Sequence, residues 1–284
     1  MIRNPQSAIR NGRQAQPPPA VPVGLWGRAR AKVKKPVIVI VDYGMGNLRS
    51  VQKAFEHIGR AAEVSDKPER VAEAERLVVP GVGAFGDAMA ALRSRRLVEP
   101  IRDFCTGGRP LLGICLGLQV LFDESEEVAS GAAACAPEAA GTACGGQVED
   151  STGRTGRLDG HSGGAAPAGQ ALEKGLGLVR GRVVRFGPHV VGAGLKVPHM
   201  GWNCVAAARP SPLWAGMPQE GVYFYFAHSY YACPADEGVV AGRTDYGGWF
   251  ASAIAAGNIY ATQFHPEKSQ AWGLALLENF VTRT

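Results

Sequence analysis

The sequence predicts an α/β fold: a mixed, mostly parallel central sheet flanked by helices, with a strand-rich second half. Three observations carry this. Val37-Ile38-Val39-Ile40-Val41 is a continuous β-branched run, the pattern of a strand buried on both faces. Leu77-Val78-Val79-Pro80 and Pro110-Leu111-Leu112-Gly113-Ile114 repeat it, separated by helical patterning. Strands that alternate with helices build a parallel sheet covered on both sides.

Order begins at Pro36. After the first strand, Asp42-Tyr43-Gly44-Met45-Gly46-Asn47 is turn chemistry. Leu48, Val51, Phe55 and Ile58 share one helical face, and Gly59 is a stop signal. A short strand around 62–64 and a charged helix around 68–75 come next. The strand 77–80 runs into the glycine loop 81–86, and the strand 110–114 runs into a helix that reaches Leu121. From Leu176 the texture is strand-rich, with candidate strands at 182–186, 195–197, 221–227, 238–243, 251–255 and 259–263. A last helix is expected over roughly 270–282.

Two segments stand outside this pattern. Residues 1–35 carry eight basic side chains, no acidic one, and Pro17, Pro18, Pro19 and Pro22. These prolines break any amphipathic transit helix, so a disordered extension or an early start codon is expected. In residues 129–172 half the positions are Ala or Gly, and the only larger aliphatic side chains are Val148, Leu158 and Leu172. Such a stretch cannot offset an ordering entropy of ~1–2 kcal/mol per residue, so it reads as a flexible surface insertion. Cys135, Cys144 and His161 lie in it, but their spacing fits no metal-ligand pattern. The expected organisation is one domain, 36–284, interrupted by this insertion.

Charge and cysteine usage exclude several function classes. The formal charge of +5 divides into +8 in residues 1–35 and −3 in the remaining 249 residues. A basic nucleic-acid-binding body is therefore not expected. No apolar run reaches the ~18 residues of a membrane span, and no secretory signal is visible. Six irregularly spaced cysteines without a CxxC pair point to a reducing, cytoplasmic setting and free thiols rather than a disulfide scaffold or a thiolate metal site. No cofactor is implied.

Three motifs carry chemistry. Gly113-Ile114-Cys115-Leu116-Gly117-Leu118-Gln119 places a cysteine on a sharp strand-to-helix turn between small neighbours, as in a nucleophile elbow. A helix N-terminus there favours thiolate, the nucleophilic form. The plainer alternative is a buried core cysteine. Phe264-His265-Pro266-Glu267 follows a strand. In extended backbone, residues two apart share a side, so Glu267 can accept from one nitrogen of His265 and leave the other to face a thiol. The alternative is a surface histidine beside an unrelated glutamate. Pro80-Gly81-Val82-Gly83-Ala84-Phe85-Gly86 lets backbone N–H groups approach a ligand and could complement the N–H of Leu116 as oxyanion donors. The same loop spells GxGxxG, but no acidic residue ends a following strand ~20 residues on, which disfavours dinucleotide binding.

Together these motifs resemble the class I (triad) glutamine amidotransferases, which implies their flavodoxin-like fold. Within that class the chain is similar to the glutaminase subunits of imidazole glycerol phosphate synthases. The residues that carry the likeness are Asp42-Tyr43-Gly44-Met45-Gly46-Asn47-Leu48, the glycine loop with Asp87-Ala88-Met89, and the cysteine elbow. Further on come Lys196-Val197-Pro198-His199-Met200-Gly201-Trp202-Asn203, Tyr225-Phe226-Ala227-His228-Ser229-Tyr230-Tyr231 and Gln263-Phe264-His265-Pro266-Glu267-Lys268-Ser269. The likeness covers about 36–128 and 173–284 and is silent on the two outlying segments.

The resemblance implies a Cys115, His265, Glu267 triad that hydrolyses glutamine through a thioester. It implies oxyanion donors at Val82 and Leu116, and glutamine held by Gly83, Gln119, Ser229 and Tyr230. Asn47, Tyr225 and Lys268 would lie toward a partner, a (β/α)₈ cyclase subunit that receives ammonia. That cyclase is expected as a separate chain, since no barrel-length sequence remains after the last helix. Three other readings compete: a glutaminase of another synthase, a cysteine hydrolase of glutamyl or peptide bonds on the same fold, and a non-catalytic interaction protein. The Pro198–Asn203 stretch argues against the first, and the intact Cys115, His265 and Glu267 argue against the last.

Overall fold

The computed structural model describes residues 38–129 and 172–284, with the backbone of 147–149 and 155–157. The expectations for residues 1–35 and for most of 129–172 lie outside the described residues.

The first half is built as its periodicity requires. Strand β1 (Ile38–Val41) is followed by α1 (Leu48–His57), β2 (Ala62–Ser65), α2 (Pro68–Glu73) and β3 (Arg76–Gly81). Then come α3 (Phe85–Ser94), α4 (Val98–Thr106), β4 (Leu111–Cys115), the single turn α5 (Leu116–Gln119) and β5 (Phe122–Ser125). Ile38 and Ile40 enter one apolar cluster with Val51 and Phe55 of α1, while Val39 and Val41 enter a second with Met89 and Leu92 of α3. Alternate side chains thus feed opposite layers, which is why the run is apolar at every position. Helices α3 and α4 lie beyond the elements read from the sequence. Yet Phe85, Ala88, Met89 and Leu92 bury one helical face of α3 at the spacing such a face requires.

Within the insertion, β6 (Gln147–Glu149) pairs antiparallel with β7 (Thr155–Arg157). The second half continues with β8 (Glu173–Lys174), β9 (Val179–Arg185), α6 (Pro188–Gly192), β10 (His199–Ala207), β11 (Val222–His228) and β12 (Tyr230–Pro234). It ends with β13 (Val240–Asp245), β14 (Trp249–Ala256), β15 (Ile259–Thr262) and α7 (Gln270–Arg283). The strand expected at 195–197 does not form. Pro198 has no N–H to give a ladder, and pairing begins only at His199, opposite His228.

The main sheet runs β2-β1-β3-β4-β15-β14-β12-β9-β5-β8, with β10, β11 and β13 branching from β14. The first five strands are parallel, and β14, β12 and β9 are antiparallel to their predecessors. The return of the chain to insert β15 beside β4 is the feature that matters for function. It places the residues after Thr262 next to those after Ile114, at the carboxyl ends of neighbouring parallel strands.

Candidate active site

Cys115 is the last residue of β4 and has φ +55° and ψ −109°, a backbone state that non-glycine residues rarely hold. Such strain costs on the order of 1–3 kcal/mol and persists only where the surroundings over-determine it. Here the glycines impose it. A Cβ at Gly117 would lie 1.7 Å from the Val79 carbonyl oxygen, and one at Gly113 would lie 2.7 Å from the Gly117 carbonyl. The first turn of α5 is therefore pressed against β3, and the chain must turn sharply at Cys115. Gly81 of β3 stands in register opposite Cys115. A Cβ on Gly81 would strike the Tyr43 hydroxyl at 2.3 Å. That hydroxyl, wholly buried, donates to the Pro80 carbonyl at 2.7 Å and ties down the start of the glycine loop.

His265 follows β15 and is buried. Its Nδ1 pairs with Glu267 Oε1 at 2.9 Å, and both side chains are almost wholly shielded from solvent. The contact is made through a 3₁₀ turn over Pro266–Lys268 rather than through extended backbone. The turn brings the carboxylate back under the ring. His265 Nε2 is buried without a well-formed hydrogen bond, while the Cys115 sulfur lies close enough to act on its charge. Burial alone lowers the imidazole pKa, but Cys115 and then Glu267 outweigh it and push His265 up to about 10. The arrangement is an imidazolium held between a sulfur and a carboxylate.

The remaining expected positions surround this pair unevenly. Val82, 42% exposed, and Gly83, at φ +111°, form the rim of the loop just beyond Gly81. Leu116 is the first residue of α5, so its N–H has no intrahelical acceptor. Gln119 is buried and donates from Nε2 to the Tyr230 carbonyl at 2.8 Å. Ser229 and Tyr230 link β11 to β12 and are half-buried. Asn47 is exposed and caps α1, accepting from the Ser50 N–H at 3.4 Å. Lys268 is exposed, with Nζ 5.8 Å from the Tyr225 ring centroid, and Tyr225 lies edge-on to Trp202 across β10 and β11.

A cysteine elbow, a histidine–glutamate pair and a glycine loop thus meet at the carboxyl ends of three central strands. A family profile described as "Glutamine amidotransferase class-I" matches residues 39–284. The chain belongs to the class I glutamine amidotransferase family. It is 46% identical over 246 residues to imidazole glycerol phosphate synthase subunit HisH of Syntrophotalea carbinolica, covering 86% of this chain and 98% of the relative. It is 45% identical to the protein of the same name from Rhodopirellula baltica, over 87% of this chain and 97% of that one. A crystal structure of a glutamine amidotransferase superposes with TM-score 0.55 at 18% identity, covering 86% of this chain and 99% of the other. That likeness speaks to the fold.

The amidotransferase also gathers residues that the motifs did not single out. Glu127 accepts from the Phe85 N–H at 2.9 Å. Burial, with Asp87 nearby, pushes its carboxyl up to about 7, and its charge reaches Tyr230. The chain reaches this place because Gly86 admits the 128–129 backbone, where a Cβ would meet Ala129 N at 2.3 Å. Its sequence signal is the acidic run Asp123-Glu124-Ser125-Glu126-Glu127, which begins within β5. His199 and His228 form a buried pair, Nδ1 to Nε2 at 3.1 Å. Among the described residues no helix is long and apolar enough to cross a membrane, and no group of three His, Cys, Asp or Glu could hold a metal ion.

Proposed function

We propose that the protein is the glutaminase subunit of an imidazole glycerol phosphate synthase, working in the cytoplasm beside a separate (β/α)₈ cyclase subunit. The observation that carries the chemistry is the meeting of the strained Cys115 elbow with the buried His265–Glu267 pair on adjacent parallel strands. The identity of 41–46% to subunits of that synthase, over most of their length, supports the choice of substrate and partner.

Cys115 attacks the side-chain amide carbon of glutamine. His265 takes the thiol proton, and the neighbouring Glu267 stabilises the charged ring. Nε2, the ring nitrogen that Glu267 does not hold, then passes that proton to the departing nitrogen. The N–H groups of Val82 and Leu116 stabilise the oxyanion, one such donor typically being worth ~3–4 kcal/mol. Water then hydrolyses the thioester to glutamate. Gly83, Gln119, Ser229 and Tyr230 hold the glutamine.

Free ammonia is mostly protonated at neutral pH, which destroys its nucleophilicity. A docked cyclase would receive it unexposed and make imidazole glycerol phosphate and aminoimidazole carboxamide ribotide. Asn47, Tyr225 and Lys268 provide the polar part of that docking face, next to Met200, which is 60% exposed.

Glutamine hydrolysis, measured with and without the cyclase and its nucleotide, tests the assignment. Hydrolysis should be slow alone and rise on assembly. Replacing Cys115 with Ala should abolish glutamine-dependent synthesis and spare synthesis from added ammonium. Strong hydrolysis indifferent to the partner would overturn the assignment and favour an independent hydrolase.

A further inference from the structure

Gln263 is the first residue after β15, the strand that leads to His265, and it is wholly buried. Its N–H donates to the Ser252 carbonyl at 2.9 Å, which anchors its backbone to β14. Gln263 and His265 both face Cys115, while Phe264 turns into the core against Phe224. Gln263 Nε2 lies 3.8 Å from Cys115 Sγ.

The direction of that contact is dictated by a backbone carbonyl. The Tyr230 oxygen can only accept, and Gln119 Nε2 stands 2.8 Å from it, so Gln119 must aim its NH₂ group inward. The same NH₂ reaches Gln263 Oε1 at 3.1 Å. With its oxygen committed to Gln119, the Gln263 amide must turn its own NH₂ toward Cys115. The opposite rotamer would press two NH₂ groups together in a buried site.

The Tyr230 carbonyl is itself pinned from behind. His228 Nδ1–H donates to it at 2.8 Å, which leaves His228 Nε2 as the acceptor for His199 Nδ1–H at 3.1 Å. His199 Nε2 then accepts from Asn203 Nδ2 at 3.3 Å. From Asn203 on β10 the donors run through His199 and His228 to the Tyr230 carbonyl, where Gln119 donates from the opposite side and, with the same NH₂ group, to Gln263.

Building on the reading of Cys115 as the nucleophile, we propose that Gln263 is a further catalytic residue, one that holds the thiolate. Its side-chain amide, locked in one orientation by Gln119 and the Tyr230 carbonyl, donates an N–H to the Cys115 sulfur. An ionised sulfur is a far stronger acceptor than a thiol, and the thioester sulfur is weaker still. The donor therefore favours the nucleophile at rest and again when hydrolysis of the thioester returns the electron pair to sulfur. His265 is the mobile proton's carrier, and Gln263 is the fixed donor on the sulfur.

The test uses the full chain carrying Gln263→Met, which keeps the volume and removes the donor, or Gln263→Leu, which removes the donor without adding a charge. The pH dependence of Cys115 alkylation by iodoacetamide is read in each, with melting curves as the check on folding. The midpoint should rise by about one pH unit in a folded variant, a roughly tenfold loss of reactive sulfur at neutral pH. In the complex, kcat for glutamine hydrolysis should fall by a similar factor while KM stays within about twofold. If one variant does not fold, the other decides. An alkylation profile that superimposes on that of the unaltered protein in a folded variant would overturn the proposal. Alkylation needs no glutamine, so a failed glutaminase assignment would appear separately, as an unaltered protein that does not hydrolyse glutamine.

Discussion

At the residue scale, His265 shows how three neighbours set one proton. Burial pulls its pKa down, and the sulfur of Cys115 and the carboxylate of Glu267 pull it up to about 10. The sulfur is the larger of the two upward influences. Replacing Cys115 with Ala should therefore lower the His265 pKa from about 10 toward the ordinary 6.5, even with Glu267 intact. A nitrogen-detected NMR titration of the imidazole measures this directly. A histidine that stays protonated to pH 10 in the variant would show that Glu267 alone sets the charge. The sign also predicts function. A ring that favours its proton is matched to taking one from the thiol as the sulfur attacks.

At the element scale, the elbow depends on two close approaches of backbone to backbone. A Cβ at Gly117 would sit 1.7 Å from the Val79 oxygen, and neither β3 nor α5 can give way without breaking the β3–β4 register. Gly117→Ala should cost more than the ~1–3 kcal/mol usual for overpacking. Near 2–4 °C per kcal/mol, the melting temperature should fall by about 6–12 °C or further. A folded Gly117→Ala protein that melts within 2 °C of the parent would refute this account of the turn. Much of the element was legible in the sequence, because it is local. Glycines at positions −2 and +2 around a cysteine, after a buried run, permit few other turns. The His265–Glu267 pair was legible for the same reason, although a 3₁₀ turn rather than an extended strand makes the contact. Gln263, His199 and His228 were legible only as members of motifs. The contacts that give them roles join residues 29, 144 and 148 positions apart in the chain. Glu127 was hidden because its raised pKa comes from burial, which no local pattern reports. The strand expected at 195–197 failed because apolar residues there precede Pro198, and its missing N–H delays the ladder to His199.

At the scale of the whole molecule, the buried histidine pair couples stability to acid. His199 stacks between Phe226 and Tyr246, and His228 packs against Phe186 and Phe250, with His265 nearby. Burial pushes the His199 pKa down to about 2, helped by His228, and pushes the His228 pKa down to about 3. Both values lie below the 6.5 of an unfolded histidine. The unfolded chain therefore binds protons that the native one refuses, and stability present above pH ~6.5 drains away as the pH falls. Each group contributes up to ~1.4 kcal/mol per pH unit in that window. Glu127, raised from 4.5 to about 7, works in the opposite sense, so the urea midpoint measured at pH 7.5, 6.5 and 5.5 should fall chiefly over the last step, where the two histidines outweigh it. His199→Phe keeps the stacking and removes one of the two titrations. It should start less stable at pH 7.5, because His228 Nε2 loses its donor, yet lose stability less steeply toward pH 5.5, by about one proton. An identical acid slope in the two proteins would mean that the pair is not what the acid limb reports. The same neutrality serves the site, since a protonated His228 could no longer accept from His199, and the fixed chain of donors behind the Tyr230 carbonyl would break at its centre.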